Sequence, residues 1–226
     1  MYSAEQVAAA SARIAKIKLW PSTKFGGRGC PDMKDRTKVI RAIMVHATDG
    51  SERMNSAGGV CAWWDVTKYK DAKTGELKTK ARGEAHFVCD PGQVICYAPA
   101  NRNVPHGNAG SGWSIGVEIT GLAKQTREEW LDQLSRGALT FAAQLCADLC
   151  IVHTIEVRKL TPDEIKAINA GTDTTTTGFC AHVDMRDVLK SGTHYDPGPH
   201  FPWLEFLVAV RGYITIIERE YHGVAA

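Results

Sequence analysis

The order of patterns along this 226-residue chain predicts an α/β fold, a central mixed β-sheet flanked by helices. Three observations carry it. Apolar runs of strand length, rich in β-branched residues, stand at 39–46 and 114–120. Two shorter apolar runs, 85–89 and 94–98, flank Asp90-Pro91-Gly92, which is hairpin chemistry. Around them lie longer segments with apolar residues at helical spacing, two of them opened by capping boxes.

In chain order, residues 3–19 predict a helix with Ser3 as N-cap and Val7, Ala10, Ile14 and Ile17 on one face. Residues 21–35, rich in Gly and Pro, read as an irregular connection. The strand 39–46 then ends at His46. Residues 58–82 look like an insertion: Trp63, Trp64 and Tyr69 precede a Lys-rich stretch around Thr74-Gly75, a hairpin turn. Lying between the His46 strand and the next one, the insertion is expected to flank a substrate groove. After strand 114–120, Thr126 and Glu129 form a capping box for the main long helix. Trp130, Leu134, Ala138, Phe141, Leu145 and Leu149 make its apolar stripe, running to about Cys150. Thr161-Pro162-Asp163-Glu164 repeats the box with Pro at the first helical position, for a short helix ending near Gly171. A polar loop covers 173–177, and a last apolar helix covers 203–220. One domain over 1–226 is expected, with its core at about 38–204.

The formal charge of +2, with scattered basic residues, argues against a nucleic-acid partner. No window approaches the apolar length of a bilayer span, and Met1-Tyr2-Ser3-Ala4-Glu5 lacks the basic and apolar regions of a signal peptide. Synthesis in the cytoplasm is the expectation. The seven cysteines Cys30, Cys61, Cys89, Cys96, Cys146, Cys150 and Cys180 are odd in number and lack paired CxxC spacing, so they read as buried free thiols. Cys89 and Cys96 flank the hairpin turn, and a bridge between them stays open.

The segment Thr193-His194-Tyr195-Asp196-Pro197-Gly198, with His182 upstream and His46 at a strand end, has the composition of a zinc site. A catalytic zinc takes three protein ligands and keeps a fourth position open, and His46, His182 and Asp196 offer two imidazoles and a carboxylate. Each also has a plainer reading, as a core histidine or an Asx-turn residue. Glu118 is a lone carboxylate in an apolar strand, where an unpaired charge is costly, and is either a functional acid–base group or half of a buried ion pair with an arginine.

Four blocks occur in one order: Ile43-Met44-Val45-His46-Ala47-Thr48-Asp49-Gly50, then Glu84-Ala85-His86 through Gly92, then Trp113 through Glu118 to Gly121, then Ala181-His182 through Trp203. By these blocks the chain resembles the zinc-dependent N-acetylmuramoyl-L-alanine amidases of the T7-lysozyme, AmpD and peptidoglycan-recognition-protein superfamily. The resemblance implies a zinc site in a groove at one end of the sheet, one zinc per chain on His46, His182 and Asp196, and Glu118 as general base and proton shuttle. His194 stands where such proteins usually carry lysine, and is expected to stabilise an oxyanion with a charge that depends on pH. His86 would pack beneath the site. His106 and Asn108 would hydrogen-bond the peptide stem, and Trp113, Trp63 and Trp64 would stack on sugars or else sit in the core.

The implied reaction is hydrolysis of the amide between N-acetylmuramic acid and the L-alanine of the peptidoglycan stem. The implied protein is a monomeric phage or prophage lysin, of actinobacteriophage type by its histidine in the Asp-Pro-Gly motif, reaching the wall through a holin. It would be a catalytic domain that stands alone or belongs to a longer lysin. Two rivals remain: a cytosolic recycling amidase acting on soluble muropeptides, and a non-catalytic peptidoglycan-recognition module.

Overall fold

The computed structural model describes residues 2–21, 35–65, 68–70, 74–79 and 84–222. Cys30, nearly all of the Gly/Pro-rich connection and parts of the 58–82 insertion lie outside them. The elements follow as α1 (Ala4–Lys16), β1 (Lys18–Leu19), β2 (Ala42–Ala47), α2 (Ser56–Trp64), β3 (Lys68–Lys70), β4 (Leu77–Thr79), β5 (Phe87–Asp90), β6 (Gln93–Cys96), β7 (Ser114–Ile119), α3 (Arg127–Trp130), α4 (Gln133–His153), α5 (Pro162–Ala170), β8 (Gly178–Ala181), α6 (His182–Leu189) and α7 (Trp203–His222).

Six strands make one mixed sheet in the order β1-β6-β5-β7-β2-β8. β5, β7, β2 and β8 run parallel, β6 returns antiparallel through the Asp90 hairpin, and β1 runs with β6. Helices cover both faces, so β2 is buried at every position. Ile43, Val45 and Ala47 of β2, with Ile115, Val117 and Ile119 of β7, enter the large core shared with α1, α4 and α7. Ala42 and Met44 point the other way, toward Ile165 of α5 and Met185 of α6. Each fully buried aliphatic side chain contributes about 1.5–3 kcal/mol. Because strand side chains alternate, this packing leaves His46 and Glu118 no choice of face: they project on the α2 and α6 side.

Several boundaries differ from the sequence expectation for identifiable reasons. α1 stops at Lys16 because Ile17 adopts extended backbone and leads directly into β1. The long helix is broken in two. The Thr126 box caps only α3, and Asp132 then accepts a bond from the Ser135 amide at 2.9 Å and restarts the helix as α4. α4 is long and apolar enough to cross a membrane, contrary to the reading of the sequence, but 67% of its apolar window is buried in the protein core. The first part of the insertion is α2, followed by the hairpin of β3 and β4 around Thr74-Gly75. The described cysteines are free and buried. Cys89 lies opposite Val94 and Cys96 opposite Phe87, so the hairpin register does not pair the two thiols.

Candidate metal centre and groove

β2 and β7 are neighbours in a register that sets His46 directly beside Glu118 at their C-terminal ends. β8, on the other side of β2, runs without a break into α6, whose first residue is His182. The loop after α6 returns Asp196 to this point, where its carbonyl accepts from the Val183 amide at 3.0 Å. Ligand sites of open α/β sheets commonly form at this end of the parallel strands.

The three side chains converge. His46 Nδ1 is 3.1 Å from His182 Nδ1 and 3.1 Å from Asp196 Oδ2, and His182 Nδ1 is 3.2 Å from Asp196 Oδ1. All three residues are buried. For zinc–nitrogen bonds of about 2.0–2.1 Å, a tetrahedron has edges of roughly 3.3–3.4 Å, so these spacings fit a tetrahedral zinc with one position left open. Charge fits too. Burial lowers His46, keeping it neutral. Burial would raise Asp196, but hydrogen bonds with His182 and His46 outweigh it and hold the carboxyl well below its usual range. Two imidazoles and one carboxylate are a donor set for a divalent cation.

Glu118 contrasts with its neighbour. Its Oε2 is buried with no hydrogen-bond partner among the described residues, and no arginine pairs with it in the described ion pairs. Burial, reinforced by the Asp196 carboxylate, raises its pKa well above the usual carboxylate range. An acid with one buried, unpartnered oxygen beside a candidate metal cluster is costly to fold and suited to taking up a proton.

Glu118 joins two cavities. One, of about 340 Å³, is lined by the three candidate ligands together with Glu84, Asn108, His194 and Tyr195. The other, of about 530 Å³, runs along α2 past Arg53, Asn55, Gly59 and Trp63. Both include Thr48 and Glu118, so they form one groove across the strand ends. Asp65 anchors the end of α2, accepting from Trp20 Nε1 at 2.7 Å and from the Tyr97 hydroxyl at 2.9 Å.

The remaining sequence candidates separate by position. His194 is 60% exposed at its side chain and stacks on His182 with ring centroids 4.1 Å apart, its Nδ1 3.6 Å from Asp196 Oδ1. Burial and then His182 lower its pKa against the pull of Asp196. Asn108 is exposed on the first cavity and also touches His182, its Nδ2 3.2 Å from His182 Nε2. Trp63 and Trp64 both line the second cavity, Trp63 half exposed and Trp64 nearly buried edge-on against Tyr97. Trp113 lies in the core and bonds Asn169, lining neither cavity. His106 is buried behind His46 with an edge on the first cavity, and His86 lies behind His106. Burial and then Arg36 push His86 down to about 3. Glu84 and Tyr195 were not singled out from the sequence, although Glu84 carries the same signal as Glu118, a carboxylate beside an apolar strand.

No protein-family model matches the chain, and no curated protein matches it. Among solved structures it is similar to the Staphylococcus aureus hydrolase AmiA in complex with its ligand, at 16% identity over 100% of this chain and 96% of that one, with a TM-score of 0.52. It is similar to the catalytic domain of XlyA at 15% identity over 86% of this chain and 97% of that one, with a TM-score of 0.50. The N-acetylmuramoyl-L-alanine amidase LysC from Clostridium intestinale URNW aligns at 15% identity over 79% of this chain and 93% of that one, with a TM-score of 0.46. At these identities the property shared with AmiA and XlyA is the fold.

Proposed function

We propose that the protein is a zinc-dependent N-acetylmuramoyl-L-alanine amidase acting on peptidoglycan, the catalytic domain of a phage or prophage lysin. The observation that carries this reading is the pairing, across one strand register, of a three-donor metal cluster on His46, His182 and Asp196 with the unpartnered carboxylate of Glu118. When bound, zinc supplies Lewis acidity toward a carbonyl and toward water. Glu118 accepts the proton of the attacking water and delivers it to the departing amine nitrogen, so that the C–N bond breaks without releasing an amide anion. His194, at the exposed rim, donates a hydrogen bond to the carbonyl oxygen as charge builds there. Trp63 offers an aromatic face along the groove for a sugar ring.

The cluster retains all three ligands, which supports an enzyme over a recognition module. Two cavities that adjoin at Thr48 and Glu118 support a polymer over a small soluble substrate. The products test the reading. Digested sacculi should yield stem peptides with a new free L-alanine amino terminus by mass spectrometry and no new reducing sugars. New reducing ends without free alanine would replace amidase with glycosidase activity, and cleavage confined to soluble muropeptides would replace the lysin with a recycling enzyme.

A further inference from the structure

Behind the metal cluster lies a chain of ring nitrogens ending on a main-chain carbonyl. His46 Nε2 is 3.0 Å from His106 Nδ1, and His106 Nε2 is 3.2 Å from the Ser114 carbonyl oxygen. A carbonyl can only accept, so the neutral His106 ring carries its proton on Nε2. Its Nδ1 is then a bare lone pair, which accepts from His46 Nε2–H. With His46 Nδ1 turned to His182 and Asp196 as the metal donor, the single proton of a neutral His46 belongs on Nε2, where His106 receives it. We propose that His106 is a positioning residue that fixes His46 in this metal-binding tautomer through the Ser114 carbonyl, rather than a contact for substrate. The proposal rests on the metal-centre reading given above.

The packing around His106 holds the ring for this purpose. Gly116 of β7 lies against it: a Cβ there would come within 2.6 Å of His106 Nδ1 and 2.7 Å of Cγ. This accounts for a glycine inside an otherwise β-branched strand. The Ser114 hydroxyl donates to the Gly110 carbonyl at 2.8 Å, tying the strand end to the loop that follows His106. Beneath it, His86 Nδ1 accepts from the Gly116 amide at 2.9 Å, and its Nε2 lies 3.1 Å from the Arg102 carbonyl oxygen and 2.9 Å from Arg36 Nη2. The Arg36 guanidinium alongside is satisfied by the carbonyls of Ala100, Ser111, Gly112, Arg102 and Ser114. The rings behind His46 are thus anchored to main-chain groups of the fold.

Ring-nitrogen NMR of the zinc-loaded protein, paired with zinc affinity by chelator competition, tests this without any substrate. The wild type should show His106 protonated at Nε2 and bare at Nδ1. His106→Phe keeps a ring but no acceptor, and should weaken zinc about 10–100-fold, the usual cost of losing such a support. His106→Gln, whose Oε1 can accept, should keep most of the affinity. Gly116→Ala, which displaces the ring without removing it, should behave like His106→Phe and stands in if that variant fails to fold. A wild-type His106 protonated at Nδ1 would overturn the proposal whatever the variants do. So would folded His106→Phe with unchanged zinc affinity but a raised KM, which would make His106 a substrate contact. Absence of amidase activity would leave both measurements unaffected and would count against the proposed reaction alone.

Discussion

His46 and Glu118 end adjacent strands, side by side in register, and the fold treats them in opposite ways. Both His46 ring nitrogens have partners within 3.1 Å, while Glu118 keeps a buried oxygen with none among the described residues. The difference separates two demands on a catalytic site. A metal ligand must be held still, so its surroundings are saturated with contacts. A proton carrier must change its charge, so it is left without a fixed partner, and its pKa is moved by burial toward the working pH.

The contrast breaks first at the ligands. His46→Ala, His182→Ala and Asp196→Ala should each remove stoichiometric zinc and abolish turnover, because a catalytic zinc site rests on three protein ligands. Elemental analysis of the purified variants checks this, and full zinc in His182→Ala would take that residue out of the centre. A second test uses the stability of the metal-free protein. Glu118 has a folded pKa raised above its ordinary 4.5, so its contribution is intact below that value and is lost as pH rises through the raised one. Metal-free Glu118→Gln should therefore match the wild type near pH 4 and exceed it at neutral pH by on the order of 1–3 kcal/mol, the penalty for an unsatisfied buried group. Urea melts at two pH values measure the difference, and equal stability at both would mean that the carboxylate has a partner.

At the exposed rim the effects shrink. His194→Ala should lower kcat by about 10–100-fold with zinc retained, at or below the lower end for loss of an oxyanion donor, because solvent can replace part of its bond. Steady-state kinetics on the zinc-loaded variant checks this, and an unchanged kcat would leave His194 as a loop residue. Trp63→Ala should raise KM by about 2–10-fold on polymeric substrate with little change in kcat, as expected for loss of one aromatic stack. Equal KM values would place the glycan elsewhere.

The sequence shows the ends of this division more clearly than its middle. A strand end and a lone carboxylate in an apolar run raised His46 and Glu118 as candidates, and the resemblance carried by four ordered blocks decided between these roles and plainer ones. Ser3, Thr126 and Thr161 marked helix starts through local side-chain bonds that span three residues. The break at Asp132 was hidden because the apolar stripe continues across it, and cap competition is settled by geometry. β8 was hidden because four residues are too few to show a period. The contacts of His106 were hidden because they depend on a carbonyl eight residues away and on room left by Gly116, neither of which is a sequence pattern. Trp113 and Trp64 carry the same letters as Trp63, and only burial distinguishes them.

The central claim, that the two strand ends hold a metal ligand and a proton carrier respectively, meets its most direct test in Glu118→Gln. Zinc content and turnover of peptidoglycan would be measured on one preparation. One zinc per chain with turnover lowered about 10²–10⁴-fold is the expected result, the range for a positioned acid–base group. Near-normal turnover with zinc in place would contradict the account, as would loss of the metal itself, which would make Glu118 a ligand.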